Sequence, residues 1–202
     1  MYGGHSASNA RSAVRPRLHS ALSVLTLFAL LPLAALAPAA AHASERDCEA
    51  MAHYQLPDLD MRIETAVLVP SAVPKPAPFA PPITSVIPAH CRVAGVIDPR
   101  IGLGGRPFGI RFALDMPEKW NGRFLFQGGG GLDGSVGEPL GFLASGSTPA
   151  LARGFAVVST DTGHEGRGPF DATFLADQQA SLDFFYAAIG RVARVGKRIV
   201  AD

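Results

Sequence analysis

The chain has 202 residues, of which 48% are hydrophobic and 17% charged, and its formal net charge is +1. That is enough apolar material for one domain with a sizeable core. The near-neutral balance offers no basic patch that argues for nucleic acid, and none is expected as a partner.

Residues 1–43 read as a secretory signal. Arg11, Arg15 and Arg17, with no acid among them, precede an apolar segment over 21–37. Ala41-His42-Ala43 then puts small residues at the −3 and −1 positions of a cleavage site. The apolar stretch approaches the length of a membrane span, so a retained anchor is the competing reading. Pro32, Pro38 and the small-residue end favour cleavage. The expectation is a secreted or periplasmic protein with no stable membrane association after cleavage, whose mature part is 44–202. Two cysteines remain, Cys48 and Cys91. In an oxidising compartment such a pair closes a disulfide; the alternative is two unrelated buried thiols. A bridge closing a loop of this size corresponds to about 4 kcal/mol in the chain-entropy model.

Residues 45–56 form a short mixed segment, read as a helical turn carrying Cys48. Residues 63–69 alternate weakly and read as a strand. The segment 70–88 contains seven prolines, which rules out a helix or a central strand; it reads as an ordered loop, with a flexible spacer as the alternative. Residues 91–97 are a strand candidate, 98–107 are turn-rich, and 108–116 alternate, with Phe108, Ile110, Phe112 and Leu114 on one side. Together they predict an antiparallel hairpin.

Next comes Trp120-Asn121-Gly122-Arg123-Phe124-Leu125-Phe126-Gln127, which runs into Gly128, Gly129, Gly130 and Gly131. Three consecutive bulky apolar residues predict a short strand covered on both faces. Glycines let the backbone take φ > 0 and approach a ligand closely. A turn of this kind after a strand can aim backbone N–H groups at one point, where developing negative charge is stabilised; the competing reading is a flexible linker. Residues 140–153 are a helix candidate interrupted by Gly and Pro. Residues 155–159 are a short apolar strand ending in Thr160-Asp161-Thr162-Gly163-His164. The last helix is the clearest, with Leu182, Phe185, Ile189, Val192, Val195 and Ile199 at steps of three and four, capped by Asp177 or Ser181. The order strand pair, strand, glycine turn, helix, strand, helix leads one to expect a further parallel strand, so the sequence reads as cut in mid-domain.

Three chemistries compete. Gly129-x-Gly131-x-x-Gly134 has dinucleotide-loop spacing, but the acid expected about 20 residues on is missing, and export argues against a nicotinamide cofactor. Asp161 and His164 invite a triad, yet no Gly-x-Ser-x-Gly is present and Ser159 lies in a strand end; the simpler reading has both residues hydrogen-bonding the loop beside the glycine turn. His53 and His90 are scattered, and nothing has metal-ligand spacing.

Several motifs together resemble the tannase and feruloyl esterase family, which also contains the bacterial enzyme that hydrolyses mono(2-hydroxyethyl) terephthalate. They are Pro88-Ala89-His90-Cys91-Arg92-Val93 with Gly95, Met116-Pro117 with Trp120-Asn121-Gly122-Arg123-Phe124, the glycine turn, Thr160-Asp161-Thr162-Gly163-His164, and Leu182-Asp183-Phe184. The resemblance covers about 48–202. It implies an α/β class chain, the N-terminal part of an α/β-hydrolase fold, truncated before the nucleophile elbow and the lid. It implies a serine-type ester hydrolase acting on small-molecule esters of phenolic or aromatic acids. The family's serine lies in a Gly-Cys-Ser-x-Gly-Gly elbow one strand beyond the last helix; its acid, its histidine, its lid and the lid's calcium site come later still. On this resemblance the fragment holds no nucleophile, acid, base, metal or cofactor of its own. It supplies half of the oxyanion hole, the backbone N–H of Gly131, and joins Cys48 to Cys91. The rival class is a secreted, non-catalytic binding module.

Overall fold

The computed structural model describes residues 45–75, 82–142 and 148–202. The signal-peptide reading over 1–43 and the middle of the proline-rich loop fall outside the described residues. Among the described residues no helix is long and apolar enough to cross a membrane.

A short helix, α1 (Glu45–Ala50), carries Cys48 to the sheet, where it forms a disulfide with Cys91 across 43 positions. Both cysteines are buried in the main core. β1 (Met61–Val69) and β2 (His90–Ile101) run antiparallel from Met61↔Ile97 to Val69↔His90. The proline-rich connection leaves β1 and returns to β2; within its described ends Ala72 and Ile87 exchange two backbone hydrogen bonds. Those bonds fix the two described ends of the connection. β3 (Pro107–Pro117) pairs antiparallel with β2 from His90↔Pro117 to Ile101↔Pro107. The hairpin is longer than the alternation predicts. Half of the piece read as turn, residues 98–101 and Pro107, belongs to the two strands, because a bulge between Ile97 and Arg100 absorbs Pro99, with Asp98 at φ 49°. A single 3-10 turn, Leu103–Gly105, closes it.

β4 (Phe124–Phe126) is the predicted short strand, but it is half-buried, not covered on both faces. It lies at the edge of the sheet and pairs only with β5 (Ala156–Thr160), in parallel. β5 is inserted between β4 and β3, antiparallel to β3, which gives the order β1-β2-β3-β5-β4. The helix expected over 140–153 does not form in its described parts. Gly141 takes φ 70°, and the N–H groups of Ala150 and Leu151 reach back to the carbonyls of Gly141 and Leu140. Only a 3-10 turn, Leu151–Arg153, remains. Glycine in the left-handed region and Pro149, which has no N–H to give, outweigh the apolar spacing there.

The C-terminal helix is three pieces in one run: α2 (Gln178–Leu182), a π-helical turn (Asp183–Ala187) and α3 (Ala188–Ala201). Of the two proposed caps it is Asp177 whose side chain takes the first free N–H, from Ala180 at 2.9 Å. The predicted apolar face holds only in α3, where Val192, Val195 and Ile199 are buried. Leu182, Phe185 and Ile189 are exposed, and the buried positions before α3 are Ala180 and Asp183. A π turn holds more residues than an α turn, so it rotates the preceding face away from the sheet. Constant-period reading cannot anticipate that.

α3 covers one face of the sheet with Val93, Ile97, Ile110, Phe112, Leu114 and Val158. The other face is covered by Ile87, Leu140, Ala150 and Leu151 over Val157. A Cβ placed on Gly196 would stand 2.9 Å from the Phe124 ring, so this glycine sets the spacing between helix and sheet. Gly190, one face away, meets nothing within 4 Å. Gly196→Leu is therefore expected to destabilise the fold by about 1–3 kcal/mol through overpacking, and Gly190→Ala to stabilise it by about 0.5–1 kcal/mol, both read from denaturant midpoints. Peptide mass mapping of the unreduced protein is expected to return one linked pair, Cys48 with Cys91.

Candidate functional site

The site is built where β4 ends. Gln127 N–H still donates to the Val158 carbonyl of β5 at 2.8 Å. After it the ladder stops, and Gly128, Gly129, Gly130 and Gly131 are all exposed. Among the described residues no protein acceptor takes the N–H of any of the four. A free main-chain donor must find water or a ligand, so the run presents several donors from a fixed strand end. Gly128, Gly129 and Gly130 line an open cleft of about 510 Å³, with Asp133, Ser135, Phe142 and Arg167 around it. Gly131 stands at the point where the turn reverses, at φ 66°, where an added Cβ would collide with the Pro169 carbonyl. Only glycine fits there, for steric as well as conformational reasons.

The back of the turn is held by the loop after β5. Leu132 N–H donates to the Pro169 carbonyl at 2.7 Å, Gly166 N–H to the Gly134 carbonyl at 2.9 Å, and Gly134 N–H to the Asp161 carbonyl at 3.3 Å. Ser159 Oγ donates to the Gly137 carbonyl. A small apolar cluster completes the anchor: Leu132 and Phe184 pack on Phe108, Phe174 and Ala180. The His164 ring lies flat on Phe174 with centroids 3.6 Å apart. On its other side a Cβ at Gly134 would sit 3.0 Å from His164 Nε2, so the imidazole fills the space directly beneath the turn.

Three ionisable groups surround this point, and burial governs each. Asp161 is 1% exposed. Its Oδ1 accepts from Arg111 N–H at 3.0 Å and Gly163 N–H at 2.8 Å, while Oδ2 is buried with no partner. Desolvation pushes this carboxyl up to about 8, against the pull of those two N–H groups, so it is protonated at neutral pH. Desolvation also raises Asp133, beside Gly129, to about 6. Burial holds the His164 imidazole below its ordinary value, and its ring nitrogens have no hydrogen-bond partner. Asp161 and His164 thus place two neutral groups behind the row of N–H donors, while Asp133, raised only to about 6, is largely ionised at pH 7.

The structure brings the glycine turn, Asp161 and His164 together, and it does not make them a triad. Asp161 hydrogen-bonds the loop as read from sequence; His164 packs there by stacking instead. Ser159 is a buried strand residue whose hydroxyl is committed to Gly137. The dinucleotide spacing at Gly129, Gly131 and Gly134 lacks the helix whose N-terminus binds the phosphates, because described residues 132–142 contain none. Among the described residues no group of three His, Cys, Asp or Glu could hold a metal ion. Sequence reasoning missed Asp133, whose signal was an acid set inside a glycine run. It also missed a buried charge cluster lower in the sheet. There Arg92 grips Asp115 at 2.8 and 2.7 Å and Glu138 at 2.6 Å, and His90 Nε2 lies 3.3 Å from Asp115, near enough to pair but out of line for a hydrogen bond. Burial lowers the His90 basicity, but Asp115 outweighs it and the net shift is upward. The register Arg92↔Asp115 would have revealed this ion pair.

A family model described as tannase and feruloyl esterase matches residues 91–202. The chain is similar to mono(2-hydroxyethyl) terephthalate hydrolase of Piscinibacter sakaiensis, 39% identical over 144 residues that cover 67% of this chain and 24% of that protein. It is similar to a probable feruloyl esterase B-2 of Aspergillus flavus, 36% identical over 85 residues, 42% of this chain and 15% of that one. Among solved structures, feruloyl esterase B from Aspergillus oryzae superposes with a TM-score of 0.57 at 28% identity, over 77% of this chain and 28% of that chain. An esterase from the same organism, 24% identical with a TM-score of 0.52, shares the fold. The chain thus spans about a quarter or less of the length of the curated relatives it matches.

The depressed His164 has a thermodynamic consequence. Below about pH 6.5, the ordinary histidine value, the unfolded chain binds a proton that the native ring refuses. Native stability from this site is therefore complete above that pH and is lost as pH falls below it, by at most one proton's worth, about 1.4 kcal/mol per pH unit. His164→Phe keeps the stack and removes the proton site. The stability difference between variant and wild type, from urea denaturation, is expected to move in the variant's favour between pH 7 and 5. A difference that stays constant with pH would show that the ring titrates as if exposed.

Proposed function

The chain belongs to the tannase and feruloyl esterase family, and on that premise we propose that it forms the oxyanion-side part of the active site of an exported, serine-type carboxylic ester hydrolase acting on esters of phenolic or aromatic acids. The observation that carries the reading is the run of N–H groups at the end of β4 that no described acceptor takes, held from behind by hydrogen bonds at Leu132, Gly134 and Gly166. Such preorganised donors stabilise charge that develops only in the transition state. The names of the relatives, a terephthalate monoester hydrolase and a feruloyl esterase, supply the substrate class. The buried disulfide fits an oxidising compartment, which supports export.

In this mechanism a serine hydroxyl attacks the ester carbonyl and the C=O pair moves onto oxygen. Gly131 N–H, our assigned donor, takes part of that charge in a hydrogen bond. The tetrahedral species then expels the alcohol, and water hydrolyses the acyl-enzyme. Nucleophile, base and acid are assigned to sequence outside these 202 residues. So is the second oxyanion donor, which comes directly after the serine in the family pattern. The calcium site of the family is assigned to its lid, and not to these 202 residues. No cofactor is assigned to this segment.

Two outcomes test the reading. Purified residues 44–202 alone are expected to show no saturable hydrolysis of methyl ferulate, methyl gallate or mono(2-hydroxyethyl) terephthalate. A longer product of the same frame that contains a Gly-Cys-Ser-x-Gly-Gly elbow is expected to turn over at least one; its failure on all three would favour the binding-module class. In that longer product Gly131→Val forces a β-branched side chain into φ 66° and against Pro169. The expected loss is mainly in kcat, about 3–4 kcal/mol if the donor is displaced, with a smaller change in substrate affinity. Gly128→Ala, where a Cβ meets nothing within 4 Å, is expected to be milder. Near-wild-type kcat in a folded Gly131→Val would remove Gly131 from the mechanism.

A further inference from the structure

We propose that Asp161 is the positioning residue of the glycine turn, joining β3, the loop after β5 and the turn into one unit through its carboxyl and its main-chain carbonyl. The inference rests on the reading of the turn as an oxyanion-stabilising element and adds what holds it in place. The geometry is specific. Asp161 N–H donates to the Arg111 carbonyl at 3.2 Å and Arg111 N–H returns a bond to Asp161 Oδ1 at 3.0 Å, which closes the end of the β3–β5 ladder with a side chain. The same Oδ1 takes Gly163 N–H at 2.8 Å and so holds the bend in which Thr162 stands at φ 61° and Gly163 at φ 100°. That bend aims His164 beneath Gly134. The carbonyl of Asp161 meanwhile accepts from Gly134 N–H itself. One residue thus reaches the turn twice, directly through its carbonyl and indirectly through the bend that seats the imidazole.

The chemistry of the carboxyl makes the link titratable. With Oδ2 buried and unpartnered, ionisation would place a charge that only the two N–H groups on Oδ1 and the nearby Arg111 offset, and desolvation outweighs them. Its neighbours on every side are accounted for: Arg111 on β3, Asp133 on the turn, His164 and Glu165 on its own loop, and Arg62 and Arg100 across the adjacent cleft. Arg62 is engaged by Glu64, Arg111 by Glu64 and Glu165, and Arg100 by Asp177 and Asp183, so among the described residues each of these cations is paired with an acid other than Asp161. A protonated carboxyl at neutral pH therefore keeps the turn in one arrangement, and its ionisation above the raised value disturbs it.

The test uses the 15N-labelled chain and needs no turnover. In the wild type the amide signals of Gly134 and Gly163 are expected to move together with one midpoint near pH 8. Asp161→Asn, neutral and still an acceptor at Oδ1, is expected to abolish that midpoint and leave both signals near their low-pH wild-type positions. Asp161→Ala is expected to speed amide exchange of Leu132, Gly134 and Gly166 tenfold or more while the amides of β3 and α3 keep their protection. Unchanged turn amides in Asp161→Ala, or an increase spread evenly over the whole domain, would overturn the proposal, the second because it makes Asp161 a general stability residue. If the alanine variant fails to fold, the wild-type titration and the asparagine variant decide: a midpoint that survives in Asp161→Asn belongs to another group and refutes the assignment. Absence of ester turnover in a longer product would remove the oxyanion reading and leave these amide results intact, so the two failures are told apart.

Discussion

The hydrogen bond from Gly134 N–H to the Asp161 carbonyl, with the one that Gly166 returns to Gly134, is the constraint on which the site depends. A glycine run has little conformational preference of its own, and leaving its N–H groups unpaired offers it no internal order. Order has to be imposed from a neighbouring segment, and β5 is the strand placed to do so. It lies between β3 and β4, so its C-terminal end emerges next to the end of β4. The segment leaving β5 therefore meets the glycine turn at close range, and that segment is a loop with a buried acid and a buried imidazole.

The imidazole and the acid are tolerated there because the surroundings keep both neutral. A stacked, unpartnered ring and a protonated carboxyl cost less in a dry site than two ions would. The lower end of the sheet solves the same problem differently. Asp115 is just as buried, yet Arg92 meets it with two parallel hydrogen bonds, and a pair of that geometry accommodates the charge. The same side-chain type is thus the bidentate partner of Arg92 at one end of β3 and an acceptor of backbone N–H groups beside its other end. The decision is made by the partner, Arg92 in one case and backbone N–H groups in the other.

The C-terminal helix links the two regions of packing. α3 seals the main core, with Gly196 letting the helix approach Phe124 and Val158. The π turn before it points Asp183 inward, where a Cβ on Gly163 would lie 2.6 Å from the Asp183 Cβ. Arg100 at the β2–β3 bulge reaches Asp177 at 3.2 Å and Asp183 at 3.5 Å, tying the start of the helix run to the hairpin. Irregular helix turns of this kind recur near functional sites. In this chain the irregularity tightens the base of the loop that supports the glycine turn, and it leaves Leu182, Phe185, Tyr186 and Ile189 turned outward.

The sequence by itself determined the elements whose signal is local. Alternation in 108–116 named the core face of β3, and spacing in 192–199 named the face of α3. A strand running into four glycines marked the site, and the cysteine pair marked the bridge. All of these depend on the preferences of neighbouring residues along the chain. Only the tertiary structure decided the rest. The insertion of β5 between β3 and β4 sets which loops touch, and no periodicity encodes strand order. The loss of the helix over 140–153 and the outward turn of Leu182, Phe185 and Ile189 came from backbone conformations, a left-handed glycine and a π turn, that break a constant period. The protonation of Asp161 and the neutrality of His164 came from desolvation. Burial is a property of the packed neighbours that arrive from distant positions, and so it is legible only once the chain has folded.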